Sequence, residues 1–442
     1  MRIQLSDHFT YKKLLRFTLP SIIMMMFTSV YGVVDGFFVS NFVGKTPFAA
    51  VNFIFPLLMV LGAMGFMFGS GGSALIAKTI GEGDLQKAKR LFSLFVYISA
   101  AIGTVIAVVA FIFIRPIAAW LGAKGTMLDD CVTYGRILLL ALPAQILQFE
   151  FQSFFVTAEK PQFGLYVTLA AGVTNMVLDA LLVAAVPLGL PGAAAATAIS
   201  QYVGGVVPIL YFVRRNDSLL QLTETQCDGA ALLKAAGNGA SEFLSNVSMS
   251  VVSMLYNAQQ MNFAGENGVA AYGTMMYVSF VFVSIFIGYS VGTAPVIGYH
   301  YGAGNTDELK SIFKKSLTLV GIASVVMLIA SEALAKPLSL LFVGYDKELL
   351  DMTLRGFIIF SFSFVFSGIP IFGSSFFTAL NDGLVSALIS FLRTVVFQVA
   401  AVLLLPRIWG LDGIWISIVV AEVAASVIAV LCWTANKRKY GY

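Results

Sequence analysis

Tyr31-Gly32-Val33-Val34-Asp35-Gly36-Phe37-Phe38-Val39-Ser40 sets a single carboxylate inside a long apolar segment, the first of many in this chain. An acid at the centre of a membrane-spanning helix costs about 2.5–3.5 kcal/mol on insertion scales, so such a residue marks a function by default. The bland alternative is a carboxylate that pairs within the helix bundle. Gly32 and Gly36 flank Asp35 at the Gly-x-x-x-Gly spacing that lets a neighbouring helix approach closely.

Outward from that stretch, the composition is that of a polytopic membrane protein. Hydrophobic residues fill 58% of the 442 positions, charged residues 11%, and the mean hydropathy is +0.88. A soluble globular chain carries about 25% charged residues. Twelve apolar segments have the length of about 20 residues that a bilayer span requires: 14–40, 48–76, 92–114, 132–157, 162–186, 192–213, 236–263, 268–297, 312–335, 352–378, 384–405 and 411–435. An all-α bundle of 12 transmembrane helices follows. Its loops are too short to house a soluble catalytic domain, so the chain reads as a transporter and not an enzyme. The first apolar run is too long for a cleaved leader. Cys131, Cys227 and Cys432 are odd in number and far apart, which offers neither a disulfide framework nor a metal site. His8 and His300 fall near helix ends, so histidine is not the expected proton carrier in the membrane.

Charge gives orientation. Of the 27 Lys and Arg residues, 18 fall on the side of the two termini, 6 on the other side and 3 inside spans. The positive-inside rule then places both termini in the cytoplasm, with Lys437-Arg438-Lys439 at the lipid surface of the cell membrane. The longest hydrophilic connection, 214–235, divides an N-terminal six-helix lobe (1–213) from a C-terminal one (236–442). The lobes repeat without gaps at a shift of 221 residues: Asn41-Phe42-Val43-Gly44 falls on Asn262-Phe263-Ala264-Gly265, Gly81-Glu82-Gly83-Asp84 on Gly302-Ala303-Gly304-Asn305, and Gly189-Leu190-Pro191-Gly192 on Gly410-Leu411-Asp412-Gly413. With six spans each, both lobes enter the membrane in the same direction. Parallel repeats of this kind are a transporter signature, with the pathway between them.

No nucleotide site supplies the energy. Val43-Gly44-Lys45-Thr46 ends like a Walker A loop, but Val39 stands where that pattern needs glycine. Gly81-Glu82-Gly83-Asp84 reads as a tight turn between spans. An ion gradient is left as the driving force. In span 5, Asn175 and Asp179 are four apart and share a helical face. Position 35 repeats as Tyr256, 175 as Val396 and 179 as Ala400, so the pair of buried acids belongs to the first lobe alone. That asymmetry assigns the coupling cation there. Two carboxylates held together in a low dielectric suit the loading and release of H+, and with Asn175 they also make a donor set for Na+. Tyr134 and Thr197 are the hydrogen-bonding neighbours. Taken singly, Asn175 and Thr197 also fit the role of interhelical glue. Pro20 gives span 1 a place to bend. In the second lobe Glu242, with Asn246 and Tyr256, is the candidate site for a cationic substrate or a second ion; Glu242 equally suits a solvated helix N-terminus. Arg393 and Glu422 read as a structural pair. The 38 Phe, 16 Met and 16 Tyr residues suit flat lipophilic cations, although lipid-facing surface uses them too.

Two parallel six-span halves, the stretch from Val34 to Gly44, the turn from Gly81 to Asp84 and Asn175-x-x-x-Asp179 together resemble the multidrug and toxic compound extrusion (MATE) transporters, over essentially the whole chain. The resemblance implies a V-shaped pair of bundles, working as a monomer in the lipid bilayer without a cofactor. It implies export of small lipophilic cationic drugs or toxins by alternating access, against inward H+ or Na+. On it, Asp35, Asn175, Asp179, Thr197 and Tyr134 are the cation-linked residues and Pro20 is the bending proline. The branch with a sodium-linked acid well inside span 7 and another in span 10 fits less well: Glu242 is loosely placed for the first, and Phe357 to Ala379 holds no acid for the second. The alternative of related architecture is a flippase for a lipid or lipid-linked oligosaccharide. That reading needs a cationic patch, for which only Arg136, Arg355 and Arg393 are at hand. A membrane prenyl transferase would need clustered aspartates, and Asp129-Asp130 stands as a single pair. No nucleic-acid partner is expected.

Overall fold

A computed structural model describes residues 3–344 and 346–442, apart from the side chains at 33, 36, 37, 40, 45, 46, 266, 341 and 342. Arg2, the side chain of Lys45 and the packing at Gly36 therefore lie outside the described residues. The first half contains α1 (Tyr11–Phe38), α2 (Lys45–Gly81), α3 (Leu85–Leu121), α4 (Gly125–Thr157), α5 (Pro161–Asp179) and α6 (Leu190–Val213). A short helix, α7 (Gly229–Asn238), leads into the second half: α8 (Ala240–Gly302), α9 (Thr306–Val343), α10 (Lys347–Ser361), α11 (Ser363–Ala379), α12 (Gly383–Phe391), α13 (Gln398–Leu404) and α14 (Pro406–Tyr440). Among the described residues, ten helices are long and apolar enough to cross a membrane, or eleven if α10 and α11, bent by 47°, form one crossing. The remaining expected span is the first part of α8, up to Gly265. It is helical, but Asn246, Asn257, Gln259, Gln260 and Asn262 make it too polar to qualify by composition.

The repeat is built into the backbone and the core. Asp84 and Asn305, 221 residues apart, cap α3 and α9 by accepting from Lys87 N (2.9 Å) and Glu308 N (3.1 Å). Each follows a glycine of positive φ, Gly83 at 88° and Gly304 at 68°, so the expected tight turn is present twice. Reversals at Gly44 and Gly265, and at Gly189 and Gly410, show the same offset. The aromatic packing follows it as well. Phe92 meets Phe212 at 4.9 Å and Phe151 meets Phe155 at 6.0 Å; their counterparts are Phe313 with Trp433 at 5.3 Å and Phe372 with Phe376 at 5.9 Å. Such ring pairs contribute about 0.5–1.5 kcal/mol each beyond area burial.

The halves meet mainly through α2 with α8 and α1 with α8. Close backbone contacts again come in repeat-related form. A methyl carbon built on Gly81 would lie 2.1 Å from the Tyr299 carbonyl oxygen, and one built on Gly302 would lie 2.1 Å from that of Lys78. Gly71 and Gly239 pack α2 against the start of the second half, while Gly288 and Gly292 pack α8 against α1. All of these lie toward the end of the molecule that holds both termini, where Leu5, Phe9, Tyr440 and Tyr442 share one buried cluster. Gly32, Gly44, Gly265 and Gly273, toward the opposite end, face open space. The close approach expected at Gly32 is thus not made there. Gly172 of α5 supplies the tight contact with α1, against Phe27 and Tyr31.

Residues 3–10 strap the two halves together at the termini face. Leu5 N donates to Glu159 Oε1 of the first half (2.7 Å). In the second half Glu308 accepts from Phe9 N (2.8 Å) and pairs with His8 Nδ1 (2.6 Å), and Lys315 Nζ donates to the Phe9 carbonyl. Leu5 and Phe9 are fully buried. Glu308→Ala strands a buried amide, at a cost of about 1–3 kcal/mol. Hydrogen exchange at Phe9 is therefore expected to quicken several-fold or more; unchanged protection would show that Glu308 does not hold the strap.

Candidate cation site

Among the described residues, three helices change to a wider π-helical turn, and each change falls at or within one turn of Asp35, Asp179 or Arg393. Val39–Val43 follows Asp35, Ala180–Ala185 follows Asp179, and Leu392–Phe397 carries Arg393. Such turns recur at functional sites because they offset the side chains on either side. Asp35 itself stands in the last turn of α1, about 22 Å along the helix from Pro20 by its rise. α1 runs unbroken through Pro20.

The structure brings Asp35, Asn175, Asp179, Thr197 and Tyr134 together from α1, α5, α6 and α4. Thr197 Oγ1 lies between the others. It accepts from Asn175 Nδ2 at 3.3 Å and donates to Asp35 Oδ1 at 3.4 Å, both long bonds. Asp35 and Asp179 are close enough for their carboxyl groups to interact directly. Tyr134, fully buried, borders both acids. Asp179 and Asn175 are also buried, at 0% and 1% exposure. Both carboxylate oxygens of Asp179 and the Oδ1 of Asn175 have no hydrogen-bond partner among the described residues. The pocket therefore holds more acceptors than donors. A proton or a small hard cation supplies what is missing.

In the second half Glu242, Asn246 and Tyr256 do not form one site. Asn246 Nδ2 donates back to the Glu242 carbonyl (2.8 Å), within its own helix. Tyr256 lies 14 residues on, about 21 Å by helix rise, bonded to Ser417 (2.9 Å) and stacked on Tyr272 (5.4 Å). Glu242 instead faces Arg393. The expected Arg393–Glu422 pair is present and bidentate, with Nη2 to Oε1 at 2.8 Å and Nε to Oε2 at 3.0 Å. The other arginines inside spans are also engaged: Arg355 with Asp412 at 2.5 Å, and Arg136 over the Phe111 ring at 5.2 Å. Arg393→Met leaves two acids without their cation, which costs about 3–5 kcal/mol for a buried pair. A clear drop in thermal unfolding temperature is expected, with the Arg393→Met/Glu422→Met double variant partly restored, since Glu242 still lacks its cationic neighbour. Equal losses in both variants would refute the pairing argument.

Sequence reasoning passed over Gln145, Gln148 and Gln152. They are buried on α4, with Gln145 against Gly62 of α2 and Gln148 against Gly204 of α6. Their spacing of three and four residues, which puts three amides on one face of an apolar helix, was the available signal. Tyr31, one turn before Asp35, completes this polar face and borders both Asp35 and Gln148.

Comparison with known proteins bears on the whole chain. The family model described as MatE matches residues 20–181 and again 243–403, in register with the two halves. The multidrug export protein MepA of Staphylococcus haemolyticus is 27% identical over 95% of this chain and 92% of its own length. MepA of Staphylococcus aureus is 25% identical, covering 95% of this chain and 93% of the relative. Among solved structures, a MATE transporter in complex with MaL6 superimposes with a TM-score of 0.93 at 22% identity, covering 98% of both chains.

Proposed function

Because the chain belongs to the MATE family of multidrug efflux transporters, we propose that it exports lipophilic cationic drugs by antiport against inward H+ or Na+, with the ion held at Asp35 and Asp179. The observation that carries this reading is the buried, unpartnered Asp179 beside Asp35, a pair that the second half lacks. Asn175, Thr197 and Tyr134 orient that pair. The oxygen donors Asp35, Asp179, Asn175 and Thr197 fit Na+ as well as H+. Binding either one removes one of two like charges and changes how α1 and α5 pack. The protein sits in the cytoplasmic membrane as a monomer, with its termini in the cytoplasm, and the halves rock to expose the path to each side in turn. Exchange of one inward proton or Na+ for one monovalent drug cation moves no net charge, so the concentration gradient of the ion drives it at about 1.4 kcal/mol per tenfold difference, and a second inward ion adds the membrane potential. Glu242 is the second-half contact for a cationic substrate, since its neighbour Arg393 is already neutralised by Glu422.

Ethidium movement in proteoliposomes, under an imposed pH gradient and then a sodium gradient, tests this. Gradient-driven movement identifies the ion. No movement of ethidium or of other lipophilic cations under either gradient, with folded protein, would overturn the antiporter reading.

A further inference from the structure

In the second half, two acids share one arginine unequally. The Arg393 guanidinium holds Glu422 through Nε and Nη2, with contacts of 3.1, 3.0 and 2.8 Å. Glu242, half-buried at the start of α8, faces the same guanidinium, but no ion pair closes between them. Fork-to-fork pairing is the strongest geometry a guanidinium makes with a carboxylate, so Glu422 keeps the donors that would otherwise turn to Glu242. Position 242 repeats as Ser21, 393 as Gly172 and 422 as Gln201, so this trio belongs to the second half alone.

A chain of buried hydroxyls fixes the frame around it. Ser241, next to Glu242, accepts from Ser386 Oγ at 2.9 Å. Ser386 bonds Ser374 at 2.9 Å, and Ser374 bonds Ser390 at 2.7 Å. Thr394 Oγ1 then donates to the Ser390 carbonyl at 2.7 Å. Ser390 and Thr394 flank Arg393. The chain therefore ties the start of α8 to the segment that carries the guanidinium, and what separates Glu242 from its positive neighbour is where the arginine side chain points.

We propose that Glu422 parks Arg393 beside Glu242, so that the trio carries one net negative charge and selects singly over doubly charged lipophilic cations. The proposal rests on the reading of Glu242 as a substrate contact. Glu242 touches the drug, Arg393 supplies the counter-charge, and Glu422 is a positioning residue that acts through Arg393. A monocation leaves the site neutral. A dication brings a surplus positive charge next to Arg393, and that repulsion is the selective element. In a partly buried site, one unit of net charge a few ångströms away changes a cation's affinity by about tenfold or more.

Ethidium and propidium share one ring system and carry one and two positive charges, so the ratio of their dissociation constants, read by fluorescence on the protein in detergent, reports the charge of the site. Arg393→Gln leaves two acids, and the ratio should shift toward propidium by about tenfold. Glu422→Gln frees the guanidinium to pair with Glu242, and ethidium binding should weaken about tenfold. Arg393→Gln/Glu422→Gln restores the single net charge, so ethidium affinity and the ratio should both return to within about threefold of the parent. A pair that served the fold alone would leave the double variant no better than Glu422→Gln. Equal loss of ethidium binding in those two would overturn the proposal, as would an unchanged ratio in Arg393→Gln. Glu242→Gln run alongside separates the two ideas. If it leaves ethidium binding intact, the substrate contact is wrong and the charge selection goes with it; if it abolishes binding while the ratio ignores Arg393, the contact stands and the selection falls.

Discussion

Gly302→Ala is expected to drive the transporter out of the state closed at the termini face. Its added methyl carbon would sit 2.1 Å from the Lys78 carbonyl oxygen. Carbon and oxygen stay about 3.3–3.6 Å apart even in close Cα–H···O contacts. Both groups belong to the ends of long helices, so neither backbone moves alone, and α2 and α8 must part by more than an ångström. Overpacking of this kind costs about 1–3 kcal/mol, roughly a five- to hundredfold change in the ratio of closed to open states. Gly81→Ala should act alike, since its contact with Tyr299 is the same contact one repeat away. Gly273→Ala and Gly321→Ala, with no heavy atom within 4 Å, are the controls. Spin-label distances across the termini face, between labels at the exposed Lys87 and Lys310 in a chain without the exposed Cys227, read the shift directly. A parent-like distance distribution in Gly302→Ala would show that these glycines do not set closure.

The repeat that makes those two variants equivalent was legible in the sequence, because its turns depend on residue type: Gly83 and Gly304, Gly189 and Gly410. Its aromatic half was equally present in Phe92 and Phe313, Phe151 and Phe372, but an apolar residue on an apolar background gives no contrast until packing shows which face it fills. The acid pair was legible for the opposite reason. A carboxylate stands out where nearly everything is apolar. The polar first part of α8 shows the limit of that contrast. Its five Asn and Gln residues lie within a stretch read as an apolar segment by its length, and a stricter hydropathy threshold leaves it out. Glu242, Asn246 and Tyr256 looked like one cluster because they share a helix. Helix rise separates Glu242 from Tyr256 by about 21 Å. The strap at residues 3–10 was out of reach, because its grip comes from Glu159 and Glu308, more than 150 residues away in sequence.

Asp179→Asn is the substitution with the other large expected effect, and charge balance gives its sign. In the parent, two carboxylates lie side by side among the neutral groups Asn175, Thr197 and Tyr134, and Asp179 has no hydrogen-bond donor of its own among the described residues. With both charged and no cation bound, the arrangement is repulsive and desolvated; with a proton or Na+ in place, it closes on itself. In the proposed antiport, the driving gradient acts through that difference. Asparagine keeps the shape, removes one charge and supplies an N–H donor toward Asp35, so it mimics the loaded site permanently. Gradient-driven ethidium efflux should fall by about a hundredfold or more, the population change that about 2.7 kcal/mol of lost differential binding produces. Folding should not suffer, because the variant satisfies an orphaned position. Its thermal unfolding temperature is expected at or above that of the parent, and insensitive to whichever ion couples the parent. Asp35→Asn should lose transport likewise without that gain, since Asp35 already accepts from Thr197. Efflux near the parent rate in Asp179→Asn would move the coupling ion away from the first half altogether.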